Sequence, residues 1–218
     1  MKNEDHQRFN EDAALKLLKK YAPDERRLEI VLNHSRAVQK MALKLVEGFS
    51  AERCRQNGLD KKNTDKELIR VASLDKEFIK VASLLHDIGR FRFPPKTGIE
   101  SIKHGIEGAK ILKEEGWPAK FQLVCERHIG VGIRRKDIIE QKLPLPEQDY
   151  VPLTNEEKII TYADNLVEGK ECRIVKEEEI VERYRKELGE EHAKRVEKFH
   201  KEIHEILSNA KHNTIKPQ

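Results

Sequence analysis

Apolar residues recur at three- and four-residue steps along most of this chain, the spacing of one helix face, and the pattern predicts an all-α fold. A short helix is expected over 10–21, with Ala13, Leu15, Leu17 and Leu18 apolar, stopped by Ala22-Pro23-Asp24. A longer helix follows over 25–49, with the stripe Val31, His34, Val38, Met41, Leu45 and Phe49. Polar residues with Gly58 and Asn63 mark 50–64 as a loop. A local duplication comes next, with 65–74 repeated almost unchanged as 75–84, the second copy a helix running into Leu84-Leu85-His86-Asp87. Pro94, Pro95 and Gly98 exclude a regular helix over 91–101 and predict a surface loop, either a connector or a lid.

Further helices are expected over 101–115, with Ser101 as N-cap, over 118–129, and briefly over 134–141. After a proline-bearing connector, Thr154-Asn155-Glu156-Glu157 has capping-box spacing and opens a helix to about residue 167. From 176 to about 210 the chain reads as charged helix with the narrow stripe Val196, Phe199, Ile203 and Ile206. That stripe can pack on the core or on a partner, a second copy in a homodimer included. His200 and His204, four apart, read as a solvated face, and the tail after residue 211 as frayed.

Polar residues interrupt the apolar stripes at a few places. His86 and Asp87 end one apolar run, followed by Gly89 and Arg90. His34 lies within the stripe of the long helix, and Asp164 within that of 154–167. His104 opens the 101–115 helix and His128 closes the 118–129 helix. Burying imidazole or carboxylate in an apolar segment is costly unless something binds it. Any one of these can be a core residue bonded to backbone. Cys125, three before His128, reads as a buried inert thiol. Five helices each offering an inward His or Asp is, however, how metal centres are built in helical bundles.

Composition narrows the picture little. The 218 residues are 37% hydrophobic and 38% charged, with 43 basic and 39 acidic residues. A net charge of +4 on that background does not indicate nucleic acid as a partner. Three widely spaced cysteines imply neither a disulfide framework nor a CxxC site, which fits a reducing compartment. The polar N-terminus is no signal peptide, and no apolar run approaches the ~18 residues of a membrane span. A cytoplasmic protein with no membrane association is expected.

The order His34, His86-Asp87, Asp164 resembles the H…HD…D motif of the HD superfamily of metal-dependent phosphohydrolases, and His86-Asp87-Ile88-Gly89 matches its "HDIG" form. His104 and His128 stand where two-metal subfamilies place additional histidines. Residues 143–167 are similar to small stand-alone archaeal HDIG proteins. Two elements differ: Ile129 follows His128 where some two-metal relatives have a second histidine, and the "GYP" element of cyclic-di-GMP hydrolases is absent.

The resemblance implies an all-α HD-domain bundle over 10–170 with a charged helical extension over 171–218. It implies His34, His86, Asp87 and Asp164 as ligands of one divalent ion, with His104 and His128 able to hold a second that Asp87 would bridge. Mixed N and O ligands with room for water suit Mn, Fe, Co, Ni or Mg. Two ions ~3.5–4 Å apart would clamp a phosphate for in-line attack by activated water, with Asp87 central and Arg90 placed to neutralise phosphate charge. The expected substrate is a small phosphate ester, a nucleotide first among them. Two alternatives use the same residues: a di-iron oxygenase, separable by oxygen consumption with reduced iron, and a non-catalytic module sensing a nucleotide or binding a partner, separable by ligand binding without turnover.

Overall fold

The structure is a computed structural model and describes residues 8–56 and 74–208. The chain runs α1 (Glu11–Tyr21), α2 (Glu25–Gln56), α3 (Lys76–Leu85), a 3-10 turn (Ile88–Phe91), a second 3-10 stretch (Pro95–Lys103), α4 (His104–Glu114), α5 (Ala119–Arg127), α6 (Arg135–Gln141), α7 (Asn155–Asn165), the strands β1 (Val167–Glu168) and β2 (Arg173–Ile174), α8 (Glu177–Leu188) and α9 (Glu190–Ser208). The all-α expectation holds, with one two-residue hairpin that pairs Val167 with Ile174 and Glu168 with Arg173.

α3 is the centre. Phe78, Ile79, Val81, Ala82, Ser83, Leu84 and Leu85 are all buried, as in a helix surrounded by others. Asp75 caps it, accepting from the Phe78 amide at 2.8 Å. α1, α2, α5 and α7 pack around it. On α2 the buried ridge is Val31, Ser35, Val38, Ala42 and Val46, a row of three- and four-residue steps that leaves His34 at its edge. α4 and α5 pair antiparallel, the start of one beside the end of the other, and α4 packs on the 3-10 turn that follows α3.

Several boundaries differ from the sequence expectation. α2 continues to Gln56, because Ala51 to Gln56 contains good helix formers and no breaker precedes Gly58. The rest of the expected 50–64 loop, the first copy of the duplication and the tail after 211 lie outside the described residues. Residues 91–101 hold no α-helix, as expected, but 95–103 coil into 3-10 turns broken at Gly98. α4 starts at His104, three residues late, since Ser101 offers its carbonyl to the His104 ring in place of a side-chain cap. Thr154 does cap α7, accepting from the Glu157 amide at 3.2 Å, while the Glu157 carboxylate turns to the Leu153 amide and Arg127.

The C-terminal segment is two helices, broken at Gly189. Ile180 from α8 and Val196, Phe199, Ile203 and Leu207 from α9 enter the same core as α2, α3 and α7. His200 is buried, contrary to the solvated reading, because its register puts it between Val196 and Ile203 on the inward face. Its Nε2 has no hydrogen-bond partner, and His204 is the exposed member of the pair. A buried charge network fastens α9 to α6. The Asp137 carboxylate accepts from the Arg134 amide at 2.9 Å and from Arg195 Nη1 at 2.8 Å.

Candidate metal centre

The apolar runs deliver six side chains to one place. His34 comes from the edge of the α2 ridge and His86 caps the C-terminal end of α3. Asp87 precedes the 3-10 turn, His104 begins α4, His128 ends α5, and Asp164 sits in the last turn of α7. Their ligand atoms form three overlapping groups, each within 4.8 Å: His34, His86 and Asp87; His86, His128 and Asp164; Asp87, His104 and His128. All six residues anticipated from sequence are therefore brought together.

Asp87 lies between two sets of nitrogens. Its Oδ2 is 3.8 Å from His34 Nε2 and 4.0 Å from His86 Nε2. Its Oδ1 is 3.2 Å from His104 Nε2 and 3.5 Å from His128 Nε2. Asp164 Oδ1 closes the first set, 2.9 Å from His34 Nε2 and 3.4 Å from His86 Nε2. Ligands about 2.1 Å from an octahedral ion stand roughly 3 Å from their neighbours, so these separations suit divalent ions.

The tautomers point the same way. His86 Nδ1 lies 2.7 Å from the Ser83 carbonyl, His104 Nδ1 2.7 Å from that of Ser101, and His128 Nδ1 2.8 Å from that of Cys125. A carbonyl only accepts, so each Nδ1 carries a proton and each ring turns its Nε2 to the centre. His104 Nε2 and His128 Nε2 then face each other at 3.0 Å, two lone pairs with nothing between them, and buried His86 Nε2 makes no hydrogen bond. Only a shared cation or proton satisfies that arrangement. The residues fit a metal.

Charge gives a second reason. Burial should lower the His86 imidazole, yet the Asp87 and Asp164 carboxylates outweigh it and raise it to about 9. Burial takes His104 down to about 4, against the pull of Asp87. Burial would also raise the Asp87 carboxyl, but Arg90 and His86 hold it well below the carboxylate range. Two carboxylates, Asp87 buried and Asp164 half-buried, thus demand positive charge at the centre.

Around the six, Arg90 Nε lies 3.2 Å from Asp87 Oδ1. Arg90, His34 and Asp164 are the solvent-facing members, with side chains 24%, 21% and 20% exposed, so the centre opens on their side. Gly89 presses the 3-10 turn against the first turn of α4, where a Cβ would overlap the His104 carbonyl and lie 2.7 Å from Gly108 N. Cys125 donates its thiol to the Leu85 carbonyl at 3.4 Å, and burial raises it well above the usual thiol value, in keeping with an inert core residue.

Two contacts had no sequence signal. Asn165 donates to the Gly130 carbonyl at 2.5 Å, tying the loop after His128 to the end of α7. Tyr184 of α8 sets its hydroxyl directly over Gly130, 2.5 Å from where a Cβ would stand.

Known proteins bear on this arrangement. The chain is 37% identical over 181 residues to an uncharacterised protein, MJ0778, of Methanocaldococcus jannaschii, covering 82% of this chain and 90% of that one. It is 32% identical over 198 residues to a tRNA (cytidine(56)-2'-O)-methyltransferase of Thermoplasma volcanium, covering 91% of this chain but 48% of the methyltransferase; a Picrophilus torridus protein of the same name is matched alike. The chain thus spans about half the length of those two relatives. Among solved structures, the HD domain of the L. monocytogenes phosphodiesterase PgpH in complex with cyclic-di-AMP is similar at 18% identity and a TM-score of 0.45, covering 94% of this chain and 99% of that one. Among the described residues no helix is long and apolar enough to cross a membrane. The HD domain family model matches residues 31–169, which include all six side chains of the centre, and the chain belongs to the HD domain family.

Proposed function

We propose that this protein is a metal-dependent phosphohydrolase acting on a small phosphate ester, with nucleotides the first class to test. The observation that carries the reading is Asp87. One of its oxygens faces His34 and His86 while the other faces His104 and His128, the disposition of a carboxylate shared by two ions. In this reading His34, His86, Asp87 and Asp164 hold one divalent ion, and Asp87, His104 and His128 hold a second. Mn, Fe, Co, Ni and Mg are the candidates by ligand type. Such ions supply an activated water and withdraw charge from a bound phosphate.

The protein's own part is to orient and to neutralise. Backbone carbonyls of Ser83, Ser101 and Cys125 fix three imidazoles in the Nε2-presenting tautomer, so the ligand geometry exists before anything binds. Arg90 is bonded to Asp87 at the open side, with further guanidinium N–H groups to offer an arriving phosphate. Methyl transfer, named for relatives about twice as long as the aligned stretch, is not part of this reading.

The test is turnover by purified protein with Mn, Co, Ni, Fe and Mg over a panel of nucleotides, cyclic nucleotides and dinucleoside polyphosphates. Wild type should release phosphate or nucleotide from one class, and His86→Ala and Asp87→Ala should lose at least about 10³-fold while keeping the helical circular dichroism. Equal turnover by wild type and variants refutes the assignment.

A further inference from the structure

Tyr184 lies on α8, beyond the matched segment of residues 31–169. Its ring packs against the common core, while its hydroxyl has no hydrogen-bond partner among the described residues. The hydroxyl is held over Gly130, two residues after His128, at the point where Asn165, next to Asp164, bonds the Gly130 carbonyl. Gly130 has a left-handed backbone (φ 62°), and a Cβ there would also stand 2.5 Å from the phenol oxygen. The Asp164 carboxylate is near enough that its charge adds to burial in raising the phenol to about 12, so the group stays protonated and can donate. Asp164 is one of the three solvent-facing members of the centre. An uncommitted donor is thus fixed over Gly130, between the chain that follows His128 and the residue that follows Asp164.

We propose that Tyr184 is a substrate-binding residue supplied by the C-terminal extension, its hydroxyl donating a hydrogen bond to the phosphate group bound at the centre. The proposal rests on the phosphohydrolase reading and adds a contact outside the HD motif. It makes α8 part of the site. The half-buried Asp137–Arg195 pair, which fastens α9 to α6, helps hold the extension in place.

Tyr184→Phe removes one oxygen and keeps the ring. A hydroxyl bonded to a charged phosphate contributes about tenfold or more in binding. In Mn-loaded protein, Y184F should raise KM about tenfold with kcat changed far less, and weaken binding of inorganic phosphate by a similar factor in calorimetry. Its melting temperature and Mn affinity should equal those of wild type. Y184F with unchanged KM and unchanged phosphate affinity overturns the proposal, as does Y184F that melts early and loses Mn affinity in parallel, the mark of a structural role. Wild type that neither hydrolyses any ester nor binds phosphate refutes the underlying reading instead.

Discussion

Gly89 gives the sharpest test of how the centre is assembled. It is the glycine of the His-Asp-Ile-Gly run, and the backbone there needs no left-handed conformation; the constraint is space. A Cβ at 89 would overlap the His104 carbonyl oxygen, lie 2.7 Å from Gly108 N and 2.8 Å from His104 C. All three atoms are backbone of α4, so no side chain can swing aside. Restoring van der Waals contact requires α4 to retreat by something on the order of 1 Å. That displacement acts in two ways. Forcing apart packed backbone costs roughly 1–3 kcal/mol, about 2–12 °C in melting temperature for a chain of this size. It also draws His104 away from Asp87 Oδ1, now 3.2 Å from its Nε2, and an ångström of misplacement in a catalytic site is worth about 10²-fold. Gly89→Ala should therefore lose about a hundredfold in kcat/KM at a temperature where it remains folded, and bind the second metal equivalent more weakly. Gly108→Ala is the milder comparison: its Cβ meets the Cys125 side chain at 3.2 and 3.3 Å and the Gly89 amide nitrogen at an ordinary 3.4 Å, and should cost far less. The assays are thermal denaturation, metal titration and turnover on the three proteins. G89A with the stability, metal affinity and turnover of wild type would refute the close approach of the 3-10 turn to α4.

Other predictions follow from the same contacts. Because His104 and His128 present facing lone pairs at 3.0 Å, metal should stabilise the fold: Mn at about a thousand times its Kd adds about 4 kcal/mol, roughly 8–16 °C, reversed by a chelator, and an unchanged melting curve would count against the centre. Asp137→Asn leaves the half-buried Arg195 without its counter-charge and should cost about 1–3 kcal/mol at pH 7. Burial would raise the Asp137 carboxyl, but the Arg134 amide and Arg195 outweigh it and hold it below its ordinary value. A depressed acid stabilises above its unfolded pKa of about 4 and loses that stabilisation as pH falls further. The gap between wild type and D137N should thus be full at pH 7 and shrink below about pH 4; a constant gap contradicts the ion-pair account. His200→Leu removes a buried nitrogen without a partner and should be neutral or stabilising by up to about 1 kcal/mol in denaturant melts.

Much of the site could be read from the sequence because its residues break strong local patterns. His34, His86, His128 and Asp164 each stand on an otherwise apolar face, and one-face periodicity survives any detail of packing. Register over long distance does not. On α2 the expected stripe drifted one residue from the buried ridge, taking in Met41 and Leu45 where Ala42 and Val46 are the buried pair. His200 was hidden by the charges of Lys198, Lys201, Glu202 and Glu205, although its four-residue step from Val196 places it inward. The hairpin at 167–174 is two residues per strand, too short for an alternation to register. Gly89, Asn165 and Tyr184 act through approaches between elements far apart in the chain, and nothing in their local sequence encodes the neighbour.

The central claim, that Asp87 is shared by two ions, is tested most directly by counting metal. Wild-type protein stripped with chelator and reloaded with Mn should hold two equivalents by elemental analysis after gel filtration. A His104→Ala, His128→Ala double variant should keep one, and Asp87→Ala should hold fewer than one. Wild type and the double variant holding the same number, or wild type holding none, would contradict the account.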